Sequence, residues 1–155
     1  MPLYFAYGSN LCPQQMQKRC ADARFVTIAA LKDHRLCFPR ISRTWGGGGV
    51  AGILAHAGAT CFGVVYYLTE DDLAAMDGYE GHPHDYFRAE INVAPPEGES
   101  FACWSYFANP QEGAPFLPVA AYLARMVSGA EAHGLPQEYI DALKAQKILA
   151  KHEEV

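Results

Sequence analysis

The sequence predicts an α+β fold, a mixed and partly closed sheet with helices packed around it, from three observations. Strand-like segments outnumber helical ones, about six against about four by alternation and periodicity. The helices are not interleaved with the strands one for one, which argues against a doubly wound parallel sheet. At 155 residues, half of them apolar and 12 % aromatic, the chain can bury one sizeable core. A single domain over residues 1–150, followed by a polar tail at 151–155, is therefore expected.

Taken in order, "LYFAYGSNL" (3–11) begins as a strand, since Leu3, Tyr4, Phe5 and Tyr7 favour extended backbone, and breaks at Gly8-Ser9-Asn10. Pro13 suits the first turn of a helix running to about Cys20, so the break joins a strand to a helix N-terminus. Residues 24–38 read as one or two strands, ended by "TWGGGG" at 44–49, whose glycines suit a mobile hairpin tip. Two strands follow at 50–56 and 60–68 with a turn at Gly58; the second is apolar on both faces and is expected to be central. In "LTEDDLAAMDGYEG", Thr69 is the expected N-cap, Asp72 its capping-box partner, and Gly78 or Gly81 the terminator. Phe87, Ala89, Ile91 and Val93 alternate with Arg88, Glu90 and Asn92, which predicts a half-exposed strand paired through "PPEG" with "SFACWSYFA". Val119, Tyr122, Leu123, Met126, Val127 and Ala130 fall on one face of a helix ending at His133-Gly134, and Pro136 opens a last helix to about Leu149.

Seventeen acidic residues against twelve basic ones give a net charge of −5, and no basic stripe is present, so nucleic acid and anionic membrane are excluded as expected partners. No window approaches the roughly 18 apolar residues of a membrane span, and no basic-then-apolar leader opens the chain. A soluble cytoplasmic protein is expected. The five cysteines contain no C-x-x-C pair and read as reduced thiols; Cys12 lies beside the polar break, but spacing supplies no partner to activate it as a nucleophile.

Two places carry candidate chemistry. At the first break, Gly8 permits close approach, and the N–H groups of Ser9, Asn10 and Leu11 near a helix start would attract a carboxylate or phosphate. A capped turn holding nothing is the bland alternative. At the second place, Glu80 lies seven residues beyond Leu73 and so returns to its apolar face beside Met76, where burial would favour the neutral acid. Such a glutamate becomes useful as a base or acid near neutrality. Asp77 is the rival carboxylate, and an early helix end at Gly78 would leave Glu80 merely exposed. His82-Pro83-His84-Asp85 offers metal-ligand types without a companion cluster, and the tetraglycine of 46–49 lacks the Lys-Ser/Thr of a phosphate-binding loop.

"FAYGSNL", "GYEG" followed by "YFRAEINV", "SYFAN" and "AYLARMVSGAEAHGLPQEYIDAL" together resemble the gamma-glutamylcyclotransferase family over roughly residues 3–145. The resemblance implies a small mixed β-barrel flanked by helices, with a loop and a glutamate facing each other across a cavity. In that pattern Tyr7, Gly8, Ser9, Asn10 and Leu11 hold the substrate's α-carboxylate, Glu80 shuttles the proton, and Tyr86, Tyr106 and Tyr122 line the pocket. Tyr122 also sits on an ordinary apolar stripe. The implied reaction is release of 5-oxoproline and an amine from a small γ-glutamyl amide by attack of its own α-amine, with neither cofactor nor metal. A non-catalytic module binding γ-glutamyl or amino-acid-like ligands, and a Ser9-dependent amide hydrolase, are the alternatives. The leaving group is expected to meet the 40–49 and 109–117 loops, and glutathione, associated with a divergent branch of these enzymes, is not the expected substrate.

Overall fold

The computed structural model describes residues 1–150; the tail expected at 151–155 lies outside the described residues. Five strands form one mixed sheet in the order β2-β3-β1-β5-β4: β1 (Leu3–Ala6), β2 (Arg24–Ser42), β3 (Gly48–Tyr67), β4 (Tyr86–Val93) and β5 (Phe101–Ala108). The helices are α1 (Pro13–Arg19), α2 (Glu70–Tyr79), α3 (Ala120–His133) and α4 (Gln137–Lys144). The short β1 is central, antiparallel to β3 and parallel to β5, which is why Phe5 and Ala6 are fully buried. The sheet curls until its two edge strands approach, and Ala30 and Ala94 exchange a pair of backbone hydrogen bonds of 2.9 Å each. The sheet is thus strongly curled but not closed into a barrel. No helix among the described residues is long and apolar enough to cross a membrane.

The segments expected as separate strands at 50–56 and 60–68 are one strand, β3. Gly58 does take a left-handed φ of 84°, and its N–H donates to the Asp33 carboxylate at 3.0 Å. The chain does not reverse there, because both flanks pair with β2, Thr60 opposite Lys32 and Ala55 opposite His34, so the extra residues bulge out of a continuous ribbon. The β2–β3 reversal lies instead at residues 43–47. Only the first half of the tetraglycine belongs to it. Gly48 and Gly49 are buried strand positions packed under Val119 and the Phe116 backbone, so this part of the expected mobile rim is wall. The 109–117 loop backs the same wall through Gln111 N–H to Pro39 O (2.9 Å), Phe116 N–H to Phe38 O (2.8 Å) and Gly49 N–H to Leu117 O (2.9 Å).

Three smaller departures have local causes. Thr69 Oγ1 accepts the Asp72 N–H at 3.0 Å, but the Asp72 carboxylate returns no bond among the described residues, so the expected capping box is half formed. Phe87 lies at the open end of β4, 38 % exposed and stacked on Phe107, while the adjacent Tyr86 is buried. The last helix stops at Lys144 rather than about Leu149, because the chain leaves it to bond Leu149 N–H to Pro118 O at 2.8 Å.

Candidate active site

The break after β1 forms a 3-10 turn, Ser9–Leu11, in which Leu11 N–H donates to Gly8 O (3.0 Å) and Cys12 N–H to Ser9 O (3.1 Å). The Leu11 amide is therefore consumed and its side chain is fully buried in the core. Neither the Ser9 nor the Asn10 amide is taken by a backbone carbonyl among the described residues. Gly8 is needed for packing: a Cβ there would lie 3.1 Å from the Ala51 Cβ and 3.4 Å from the Tyr122 hydroxyl. Helix α3 presses on the far side, where any side chain at Gly129 would collide with the Leu11 carbonyl.

The Asn10 side chain is a buried hub. Its Nδ2 donates to the Tyr4 hydroxyl (3.0 Å), and its Oδ1 accepts from Gln15 Nε2 (2.9 Å) and Arg19 Nη1 (3.2 Å). Gln15 also donates to Ser9 Oγ at 2.6 Å and accepts from Arg125 Nη1 at 2.6 Å. Ser9 Oγ thus has an amide beside it rather than a base, and among the described residues no histidine lines the cleft, so this arrangement of described residues does not activate Ser9 as a nucleophile. Cys12 Sγ turns away to Gln14 Oε1 (3.3 Å), and His82 Nδ1 accepts the Arg88 N–H (3.0 Å).

Gly78 does not end α2. The helical pattern continues through Glu80, whose N–H donates to Met76 O at 2.9 Å, so Leu73, Met76 and Glu80 share one face. Leu73 and Met76 enter the core, and the Glu80 side chain, 17 % exposed, lines the cleft. Burial pushes its carboxyl up to about 7, opposed by Arg19, whose Nη1 lies 3.7 Å from Oε1. Asp77 has a different fate: Arg88 Nε and Nη2 hold it at 2.9 and 3.3 Å, and the Tyr106 hydroxyl donates to it at 2.7 Å.

These pieces enclose a cleft of about 250 Å3. Tyr7, Gly8, Ser9, Asn10, Glu80, Tyr86, Tyr106 and Tyr122 all line it; Leu11 does not. Tyr86 and Tyr122 meet one residue of β3: the Tyr86 hydroxyl donates to Ala51 O (2.7 Å), and the Tyr122 hydroxyl accepts from Ala51 N–H (2.9 Å). The Tyr122 phenol is pushed up to about 12 by burial, with the Ala51 amide working in the opposite sense. Tyr7 donates to Tyr106 O at 2.6 Å. The sequence reading missed Tyr4 and Arg19, which also line the cleft; Arg40 and Trp45 of the expected 40–49 wall line it too, as does Asp85, which was read only as a metal-ligand type. One signal was available, since Gln15 and Arg19 stand one helical turn apart immediately after the loop they brace.

A family model described as the AIG2-like family matches residues 60–143. A human gamma-glutamylcyclotransferase is 38 % identical over 148 residues, covering 92 % of this chain and 77 % of its own length. The chain belongs to the gamma-glutamylcyclotransferase family. A mouse gamma-glutamylcyclotransferase is 37 % identical over 148 residues, with the same coverage of 92 % and 77 %. A solved structure of a gamma-glutamyl cyclotransferase matches with a TM-score of 0.91 at 34 % identity, covering 99 % of this chain and 92 % of that one. The gamma-glutamylcyclotransferase likeness thus extends beyond the family model to β1 and its loop, which form one pole of the cleft.

Proposed function

We propose that this chain, acting as one domain over residues 1–150, is a cofactor-independent gamma-glutamyl cyclotransferase. It converts a small γ-glutamyl amide into 5-oxoproline and a free amine or amino acid. The observation that carries the reading is Glu80: a carboxyl pushed up to about 7 by burial, in the same small cleft as the Tyr7–Asn10 loop. A group with that proton affinity can both accept and return a proton near neutral pH. The Ser9 and Asn10 amides and the Ser9 hydroxyl would take the substrate's α-carboxylate, and the tyrosines would hold the chain of the glutamyl group folded.

Folding brings the α-amine onto the γ-carbonyl. Holding that reactive conformer can supply roughly 7–11 kcal/mol of the barrier. Glu80 removes a proton from the α-ammonium, the nitrogen attacks, and the C–N bond of the lactam forms. The attacking nitrogen then loses a second proton, and both protons end on the leaving nitrogen as its C–N bond breaks. The balance is a lactam N–H and an ammonium, with no change in net charge. The free cysteines suit a reducing compartment, and we read the protein as cytoplasmic.

The test is to assay 5-oxoproline released from a panel of γ-glutamyl amino acids and γ-glutamyl amines. Turnover is expected with the wild type and a loss of about a hundredfold or more in kcat with Glu80→Gln. Free glutamate as the product, or full activity in a folded Glu80→Gln variant, would contradict the reading.

A further inference from the structure

We propose that Tyr4 is a catalytic residue, donating its phenolic hydrogen to the γ-carbonyl oxygen of the substrate as that oxygen gains negative charge. This rests on the cyclotransferase reading above and adds to it a residue that none of the motifs indicated.

The inference follows from where the hydroxyl protons of the cleft go. Tyr7 gives its proton to Tyr106 O at 2.6 Å, Tyr86 to Ala51 O at 2.7 Å, and Tyr106 to Asp77 Oδ1 at 2.7 Å. These three protons are held by the protein and are not available to a ligand. Tyr4 and Tyr122 differ, because their oxygens accept, from Asn10 Nδ2 at 3.0 Å and from Ala51 N–H at 2.9 Å. Neither donates to a protein acceptor among the described residues. Tyr122 lies beside the side chain and amide of Ser9, at the loop pole of the cleft. The Tyr4 hydroxyl lies instead on the side of Asn10 that leads toward Glu80: the Asn10 side chain joins it to Arg19, which in turn pairs with Glu80.

Tyr4 is 4 % exposed, so bulk water does little to satisfy its proton, and leaving a buried donor unpaired is unfavourable. It lines the cleft and is edge-on to Tyr106 at 5.9 Å, which fixes the ring. Burial, and next the Glu80 carboxylate, hold its phenol well above the usual value, so it remains a donor across the working pH range. With the α-carboxylate on the Ser9 and Asn10 amides, the γ-carbonyl extends toward Glu80, within the one small cleft that Tyr4 and Glu80 both line. Attack of the α-amine forms the lactam C–N bond and moves the carbonyl π pair onto oxygen. Tyr4 stabilises that oxyanion by a hydrogen bond without giving up its proton. When the pair returns, the bond to the leaving nitrogen breaks, and the two protons given up by the attacking nitrogen pass through Glu80 to the leaving nitrogen. A donor aimed at developing charge accelerates the step because its stabilisation grows toward the transition state.

Tyr4→Phe removes the hydroxyl and keeps the ring, leaving Asn10 Oδ1 held by Gln15 and Arg19. The expected result is a fall in kcat of about a hundredfold. The Michaelis constant should stay within about twofold. An unchanged kcat overturns the proposal. So does a rise in KM with kcat preserved, which would mean that Tyr4 only positions Asn10 and the loop. A crystal structure of the wild type with 5-oxoproline gives a readout independent of any variant's folding. Tyr4 Oη within about 3.2 Å of the lactam carbonyl oxygen supports the assignment; a Tyr4 hydroxyl bonded elsewhere overturns it. Should the wild type release no 5-oxoproline from any γ-glutamyl amide, the functional reading fails and this proposal with it. An active wild type with an equally active Tyr4→Phe fails this proposal alone.

Discussion

The proton-shuttling role proposed for Glu80 depends on opposed influences on its carboxyl group, and they come from two identifiable sources. Burial raises its proton affinity, to about 7, and the Arg19 guanidinium lowers it from 3.7 Å away. Arg19 is itself fixed by Asn10 Oδ1 at 3.2 Å and by the Tyr79 ring, 5.3 Å from its carbon to the centroid. The tyrosines around Glu80 are phenols held neutral by burial, so Arg19 is the cation acting on it. In the proposed mechanism the base form is the competent one, so kcat/KM should rise with pH through about 7 and then level. Arg19→Gln keeps an amide near Asn10 but removes the charge, leaving burial unopposed. The acidic limb of the pH–rate profile should then move to higher pH, by up to about one unit. A limb that stays in place or moves lower would show that Arg19 does not tune Glu80.

At the scale of elements, the loop keeps its shape because α3 lies directly against it. The apolar stripe of α3 was legible, since Tyr122, Leu123, Met126 and Ala130 repeat at helical spacing and are all buried. What that periodicity did not convey is Gly129, which reads in sequence as a weak helical position and in the structure is the point where two backbones touch. Gly129→Ala would push a Cβ into the Leu11 carbonyl and the Cys12 nitrogen, atoms of a backbone that has little room to yield. Urea unfolding should show a loss of about 3 kcal/mol. KM should rise as well, since the displaced turn carries the Ser9 and Asn10 amides proposed to hold the substrate's α-carboxylate. An alanine variant as stable as the wild type would mean that α3 does not set the loop. The long β2–β3 ribbon illustrates a second limit of sequence reading. A glycine in a strand-like run signals either a reversal or a bulge. At Gly58 the partner strand decides, because β2 is long enough to pair with both flanks.

For the whole molecule, the cleft exists because distant segments converge on it: β1 and its loop, the end of β2, Ala51 on β3, the end of α2, Tyr86 on β4, Tyr106 on β5 and Tyr122 on α3. The loop and Glu80 were legible since each carries a local signature, a glycine break before a helix and a carboxylate returning to an apolar helix face. Tyr4 was not, because no spacing relates positions brought together only by the curl of the sheet; Arg40 was legible only as part of the 40–49 segment. This convergence also ties the chemistry to stability. The folded chain holds the Glu80 proton more tightly than the unfolded chain does, since burial raises its affinity from about 4.5 to about 7. Its contribution to stability is therefore fully present below pH 4.5 and is lost as pH rises through about 7. The difference between the two limits is on the order of 3 kcal/mol. Glu80→Gln carries no charge at any pH and escapes that loss. Thermal unfolding should then find Glu80→Gln close to the wild type at pH 5 and more stable than it at pH 8. Parallel melting temperatures for the two proteins across that range would mean that the carboxyl group ionises in the cleft as easily as in water, and it would then lack the proton affinity that the cyclisation requires.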